Sequence, residues 1–150
     1  MIEVREIRGD CKLARELLAA MEAEVAAEFG PITPERTSVV HFEELCPPSG
    51  TYVIVLEDGA VVAGGALRRL QEGVAEIKRM FTVPSARGRG HGRRLLEALE
   101  DAARRLGYER VRLDTAGSMK AALHLYADYE PIPDYNGNSF ALFWGEKQLR

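Results

Sequence analysis

Cysteine is scarce, with two in 150 residues. Cys11 and Cys46 form no C-x-x-C pair and sit at no Cys/His ligand spacing. A zinc module or a disulfide framework is thereby excluded, and the pair reads as thiols in a reducing compartment. Histidine numbers three, and nothing clusters as a metal site. No apolar run approaches membrane-spanning length. The opening "MIEVREIRGD" carries acids and lacks an apolar signal core, so a cytoplasmic protein with no membrane partner is expected. An excess of positive charge is also missing. Lys and Arg total 20 against 23 Asp and Glu, for a net charge of -3. A mildly acidic chain is a poor general binder of nucleic acid. Repeats, low-complexity tracts and dividing linkers are absent. The length, with 46% hydrophobic residues, suits one domain over 1–150 with a sizeable core.

The pattern of elements is legible. "IEVREI" (2–7) alternates as a half-buried strand. Asp10 is placed to cap a helix running to Phe29, with Leu13, Leu17, Leu18, Met21 and Val25 on its apolar face. "GPITP" breaks it. A shorter helix is expected over 35–45, ending before "CPPSG". "TYVIVLEDGAVVAGGALRRL" (51–70) reads as a hairpin about Asp58-Gly59. "VAEIKRMFTV" (74–83) continues the meander until Pro84, with Glu76, Lys78 and Met80 on one side. A helix ends at Gly107, with Leu95, Leu96, Leu99, Ala102, Ala103 and Leu106 on one face. Then come a strand (109–115), a short helix (118–127), a Pro- and Gly-rich loop and a closing strand (139–149). The order β-α-α-β-β-β-α-β-α-β implies one mixed sheet with helices packed on its faces, an α/β (mixed α+β) domain.

The stretch "RGRGHGRR" (87–94) stands apart. Glycines at 88, 90 and 92 let the backbone approach a ligand and take torsions that other residues resist. A helix start leaves N–H groups unpaired and carries partial positive charge. Arginines crowding such a start point to an anion there, a phosphate or pyrophosphate. A Walker loop would need GxxxxGK[ST], which does not occur. A dinucleotide fingerprint would need glycine where Arg93 stands, within a βαβ unit that the preceding meander does not provide.

Arg87-x-x-Gly90-x-Gly92 between a strand and a helix resembles the acyl-CoA pyrophosphate loop of the GNAT superfamily of N-acetyltransferases. "EIKRMFTVPSARGRGHGRRLLEALEDAARRLGYERVRLDT" is similar to that family's central block. "AALHLY" and the closing segment look like the C-terminal block of small bacterial members. The resemblance implies a mixed, mostly antiparallel sheet splayed at a bulge, with acetyl-CoA as co-substrate and no metal. It implicates Arg87, Gly88, Arg89, Gly90, His91, Gly92 and Arg93 in pyrophosphate binding. Met80, Phe81 and Thr82 would meet pantetheine through their backbone, with an N–H near Phe81 facing the thioester oxygen. Tyr126 matches the tyrosine that protonates the leaving sulfur, and Glu76 the water-linked base of some relatives. Lys78 could equally neutralise Glu76. His91 is expected as a loop filler supplying backbone N–H, and His124 and His41 as surface groups. Two features depart from the family pattern: Met119 replaces a common asparagine, and "ADYEP" shortens the step after Tyr126.

The resemblance places the acceptor, a small-molecule or peptide amine, over the first helices and the loops at 45–50 and 130–138. Glu43, Glu44, Asp134, Tyr129 and Tyr135 there would suit a cationic amine. The implied reaction is direct attack in a ternary complex, since Cys11 and Cys46 lie outside the central block. A non-catalytic acyl-CoA sensor is the alternative, and a nucleic-acid binder using the arginine cluster comes third. The apolar closing strand could support a homodimer or be buried in its own sheet.

Overall fold

The computed structural model describes residues 1–115 and 123–149. Its strands are β1 (Ile2–Ile7), β2 (Thr51–Glu57), β3 (Ala60–Gln71), β4 (Val74–Thr82), β5 (Arg110–Thr115), β6 (Glu130–Pro131) and β7 (Phe143–Gln148). They form one sheet in the order β1-β2-β3-β4-β5-β7-β6. Every neighbouring pair is antiparallel except β4 and β5, which run parallel. Helix α1 (Lys12–Phe29) packs on one face, and α2 (His91–Arg105) packs on the other. No described helix is long and apolar enough to cross a membrane.

Local chemistry explains most of these elements. Asp58 and Gly59 both adopt positive φ, 51° and 84°, as a two-residue hairpin turn between right-twisted strands requires. Helix α2 turns Leu95, Leu96, Leu99, Ala102 and Ala103 onto Val53, Val55, Leu67, Ala75 and Ile77. Each fully buried leucine there contributes about 2 kcal/mol of transfer free energy. On the opposite face, Ala14, Leu17 and Leu18 of α1 cover Leu45, Tyr52, Ile54 and Ala66.

Four sequence expectations are corrected. Asp10 does not cap α1: Cys11 occupies that position without a side-chain bond, because Arg8 holds the Asp10 carboxylate through Nε and Nη2, both at 3.0 Å. The helix expected over 35–45 shrinks to a 3-10 turn at Phe42–Leu45. Thr37, Val39 and Val40 form a β-branched stretch with no helical apolar face. The closing strand begins only at Phe143. Before it, Asn138 accepts bonds from Phe140 N and Ala141 N and turns the chain. The loop after Tyr129 is also not wholly irregular, since it contributes the short edge strand β6. Of the helix expected over 118–127, Leu123–Leu125 is helical, while 118–122, with Met119, lies outside the described residues.

The ladder between β4 and β5 is short. It runs from Val74↔Arg110 to Ile77↔Leu113 and then ends. On the other side of β4, Lys78 pairs with Ala66 and Phe81 with Gly64, so β4 spends three steps where β3 spends two. The inserted residue is Arg79, at φ 57°. This is a β-bulge, and it bends β4 away from β5. A side chain at Gly64, opposite the bulge, would sit 2.5 Å from the Tyr52 hydroxyl.

All five tyrosines, at 52, 108, 126, 129 and 135, have phenol pKa values raised, burial being the leading cause in each case. Their unfolded value is about 10. The stability that this contributes is therefore fully present below pH 10 and is lost as pH rises beyond it, through about 12 for Tyr126. Phenolate absorbance should stay flat to about pH 10.5 and then rise together with loss of the circular-dichroism signal. Normal tyrosine titration near pH 10 on a still-folded chain would contradict the burial described.

Candidate active site

Divergence of β4 from β5 opens a cleft of about 460 Å³. Lys78 through Thr82 and Leu113 through Thr115 form its base, α1 contributes Met21, Val25 and Phe29, and Leu125 and Tyr126 close one side. Among the described residues, nothing pairs with the β5 side of β4 beyond Ile77, so its main chain faces the cleft. Val83 N donates to Val62 O across the β3 side. Antiparallel alternation then directs Phe81 N–H to β3 as well, and Thr82 N–H to the cleft. The Thr82 carbonyl confirms that direction, accepting from Arg87 Nε at 2.9 Å. The cleft-facing amide expected near Phe81 is therefore that of its neighbour Thr82.

The glycine-rich segment leads from β4 to α2. Gly88 and Gly90 both sit at φ 83°, and Gly90 is the N-cap residue of α2. The first N–H groups of a helix have no intrahelical acceptor. Among the described residues, no backbone bond from Gly88 through Arg93 to another segment competes for them. The ideal Cβ position at Gly88 meets nothing within 4 Å, so this surface is open. The arginine side chains are tethered. Arg87 holds Glu24 of α1 at 2.7 Å, Arg89 holds Glu57 at 3.0 Å, and Arg93 donates to the His124 carbonyl. His91 is not a loop filler but the first residue of α2. Its ring is buried, with Nε2 2.8 Å from Glu57 Oε2. That contact clamps the turn to β2. His124 is exposed, as expected.

Tyr126 is brought to the cleft. Its hydroxyl lies 3.7 Å from Met80 Sδ, and its ring stacks on Phe143 with centroids 6.0 Å apart. Burial, with a smaller contribution from Asp114, pushes its pKa up to about 12. The phenol is thus held protonated throughout the neutral range, as a proton donor must be.

Glu76 is fully buried and saturated with donors. Its Oε1 accepts from Arg68 at 3.0 Å; its Oε2 accepts from Tyr135 Oη at 2.7 Å and Asn136 Nδ2 at 3.3 Å. Lys78 Nζ lies 3.8 Å from it and 3.4 Å from Asp114. Asn136 and Asn138 also donate to Asp114, and Trp144 Nε1 donates to Asn136 Oδ1. The network is a cross-braced floor linking β3, β4, β5 and β7. Met80 does not share this side: the bulge turns it toward Leu95 and Leu99 of α2, beneath Gly65.

Several residues expected at the acceptor mouth lie elsewhere. Tyr129 is core, its hydroxyl donating to buried Glu100 at 2.7 Å, and Lys147 pairs with the same carboxylate. Glu44 closes a capping box with His41 and pairs with Arg68 at 3.2 Å. Asp134 accepts from Asn136 N and Gly137 N and shapes the loop. Tyr135 joins the floor directly, beneath the guanidinium of Arg112, and Glu43 is exposed on the 3-10 turn.

Sequence reasoning missed Arg68, Arg79, Asp114, Asn136 and Asn138. For Arg79 a signal existed. In "EIKRMF" two cations are adjacent, so the period-two alternation of Glu76, Ile77 and Lys78 fails there, as it does at a bulge. For the others no signal was available, because they converge from separate strands and a loop. Arg79 also carries backbone cost, since a long side chain at φ 57° is strained by roughly 1–3 kcal/mol.

Comparison with known proteins accords with this geometry. Residues 15–129 match the model of the acetyltransferase (GNAT) family. The chain is 35% identical over 128 residues to an IAA acetyltransferase of Azospirillum brasilense, covering 81% of this chain and 83% of the other. Its fold is similar to an acetyltransferase of the GNAT family from Staphylococcus aureus Mu50, with TM-score 0.74 at 16% identity and all of both chains covered. It is likewise similar to the PaiA N-acetyltransferase of Thermoplasma acidophilum, which was solved in complex with coenzyme A. That TM-score is 0.68 at 17% identity, with 99% of each chain covered. A splayed sheet followed by a glycine-capped helix defines an acyltransferase scaffold, and the chain belongs to the GNAT family of acetyltransferases.

Breaking a buried ion-paired group leaves its partner charges uncompensated. Glu76→Gln should therefore cost about 3 kcal/mol in urea unfolding. A loss below about 0.5 kcal/mol, the range of an ordinary surface change, would show the floor is not structural.

Proposed function

We propose that the chain is an N-acetyltransferase that takes an acetyl group from acetyl-CoA to a primary amine, by direct attack in a ternary complex. The observation that carries this is the run of N–H groups at Gly88–Arg93 that have no acceptor among the described residues, directly after Arg87 on the wall of the cleft that β4 and β5 leave between them. Main-chain donors at the N-terminus of α2 would hold a diphosphate, and the left-handed Gly88 and Gly90 make that approach possible. Acetyl-CoA would supply the activated thioester, with coenzyme A leaving as the thiol.

The chain's own groups then divide the work. The exposed edge of β4 from Met80 to Thr82 would bind the pantetheine arm as a strand is bound. Thr82 N–H supports negative charge developing on the acyl oxygen. Tyr126 Oη gives a proton to the departing sulfur. Glu76 was the expected base, but its oxygens are occupied by Arg68, Tyr135 and Asn136. In this reading it fixes the floor, and the amine sheds its proton through cleft water at a pH set by its own pKa. The same saturation is the observation that favours the second reading, a non-catalytic acyl-CoA sensor.

Acetyl-CoA consumption over a panel of amines separates the two. Tyr126→Phe should lower kcat about 100-fold with coenzyme A affinity unchanged. The wild-type rate should rise with amine deprotonation and show no tyrosine-dependent fall below about pH 11, given the Tyr126 value of about 12. Gly90→Val should weaken coenzyme A binding by about tenfold or more, since φ 83° excludes a β-branched residue. Tight coenzyme A binding with no turnover on any amine would select the sensor.

A further inference from the structure

Among the described residues, the cleft lining contains one cation that the fold does not use. Three line it: Lys78, Arg79 and Arg87. Lys78 has Asp114 and Glu76, and Arg87 has Glu24. Among the described residues, Arg79 has no carboxylate within ion-pair distance, and its Nε is buried without a hydrogen-bond partner. The segment 116–122 holds no Asp or Glu to supply one. Burial works against the charge of Arg79 and lowers its pKa, with Arg68 adding repulsion, while Glu22, Asp114 and Glu76 attract it only through space. A half-buried guanidinium in this state is unusual, because such groups are ordinarily paired. The bulge that strains its backbone also places it in the cleft rather than in the core under α2.

Resting on the acetyltransferase reading above, we infer that Arg79 binds a carboxylate on the acceptor, so that the acceptors are amino-carboxylates with an apolar side chain. A planar guanidinium matches a carboxylate through two parallel hydrogen bonds. The walls around it are Met21, Val25, Phe29, Ile32 and Phe140, which suit an apolar side chain and not a polyamine. Glu28 on the α1 wall also forms no ion pair among the described residues. The cleft therefore offers both signs of charge, as an amino-carboxylate does. This narrows the cationic-amine acceptor expected from the loop residues, of which Glu44 and Asp134 are committed to Arg68, His41 and backbone amides.

The test compares leucine, methionine and phenylalanine with their amides, with the matching aminophosphonates and with spermidine, at saturating acetyl-CoA. Wild type, Arg79→Met and Arg79→Lys are assayed, with coenzyme A affinity measured by calorimetry for each. The free acids should exceed their amides in kcat/KM by about 100-fold, a typical loss for an unpaired charge-assisted contact. Arg79→Met should erase that preference while leaving amide turnover and coenzyme A affinity in place, and Arg79→Lys should restore part of it. Amides or spermidine turned over as well as acids by the wild type would overturn the assignment. So would preference for the phosphonates, equal loss on acids and amides in Arg79→Met, or loss of coenzyme A affinity. If coenzyme A binds but no amine is acetylated, the acetyltransferase reading fails separately. Arg79 is then judged by whether the free acids raise the melting temperature of the coenzyme A-loaded wild type and not of Arg79→Met.

Discussion

The site depends on one break in hydrogen bonding. Four residue pairs hold β4 to β5, and beyond Ile77 the ladder stops. An interrupted ladder leaves main-chain donors and acceptors facing outward, a liability that a sheet normally covers or pairs. Here the inserted Arg79 makes the break stable. It bends β4 toward β3, keeps Phe81 and Thr82 paired on that side, and leaves the other side of the strand available. The cleft and the exposed strand edge both follow from that single extra residue.

Such an opening needs bracing, because the two strands are parallel neighbours in the middle of a seven-stranded sheet. The floor of Arg68, Glu76, Lys78, Asp114, Asn136 and Tyr135 performs that task on the α1 side. Each charge there has an opposite charge or several donors, which is the condition for burying ions without large cost. On the α2 side the bracing is apolar, with Met80 and Tyr126 against Leu95, Leu99 and Phe143. At the helix start, Glu57 ties His91 and Arg89 to β2, so the glycine turn is flexible in sequence but anchored at both ends.

The fold was legible wherever the chain uses local rules. Asp58-Gly59 announced its hairpin, Pro84 its strand end and the leucines of α2 their face, because turn torsions and periodicity are properties of short segments. The glycine turn was legible for the same reason. What could not be read was convergence. Tyr129 and Tyr135 lie six residues apart in one loop region, yet one enters the α2 core against Glu100 and the other the polar floor against Glu76. No local pattern distinguishes them; the pairing of β7 with β5 does. Glu76 reads from sequence as a candidate base with Lys78 as a possible partner, because its other partners come from β3 and from a loop some sixty residues away. Asp10 and the 35–45 segment were misjudged because a neighbouring arginine and a β-branched run overrode capping and helix preferences.

The claim on which the account rests is that main-chain amides of residues 88–93 grip the diphosphate of coenzyme A. Amide-resolved NMR of the labelled protein tests this most directly. Titration with coenzyme A should move the Gly88, Gly90, His91 and Gly92 amides downfield together, whereas pantetheine, which lacks the diphosphate, should leave them in place. Saturating coenzyme A with those resonances unmoved would contradict the account.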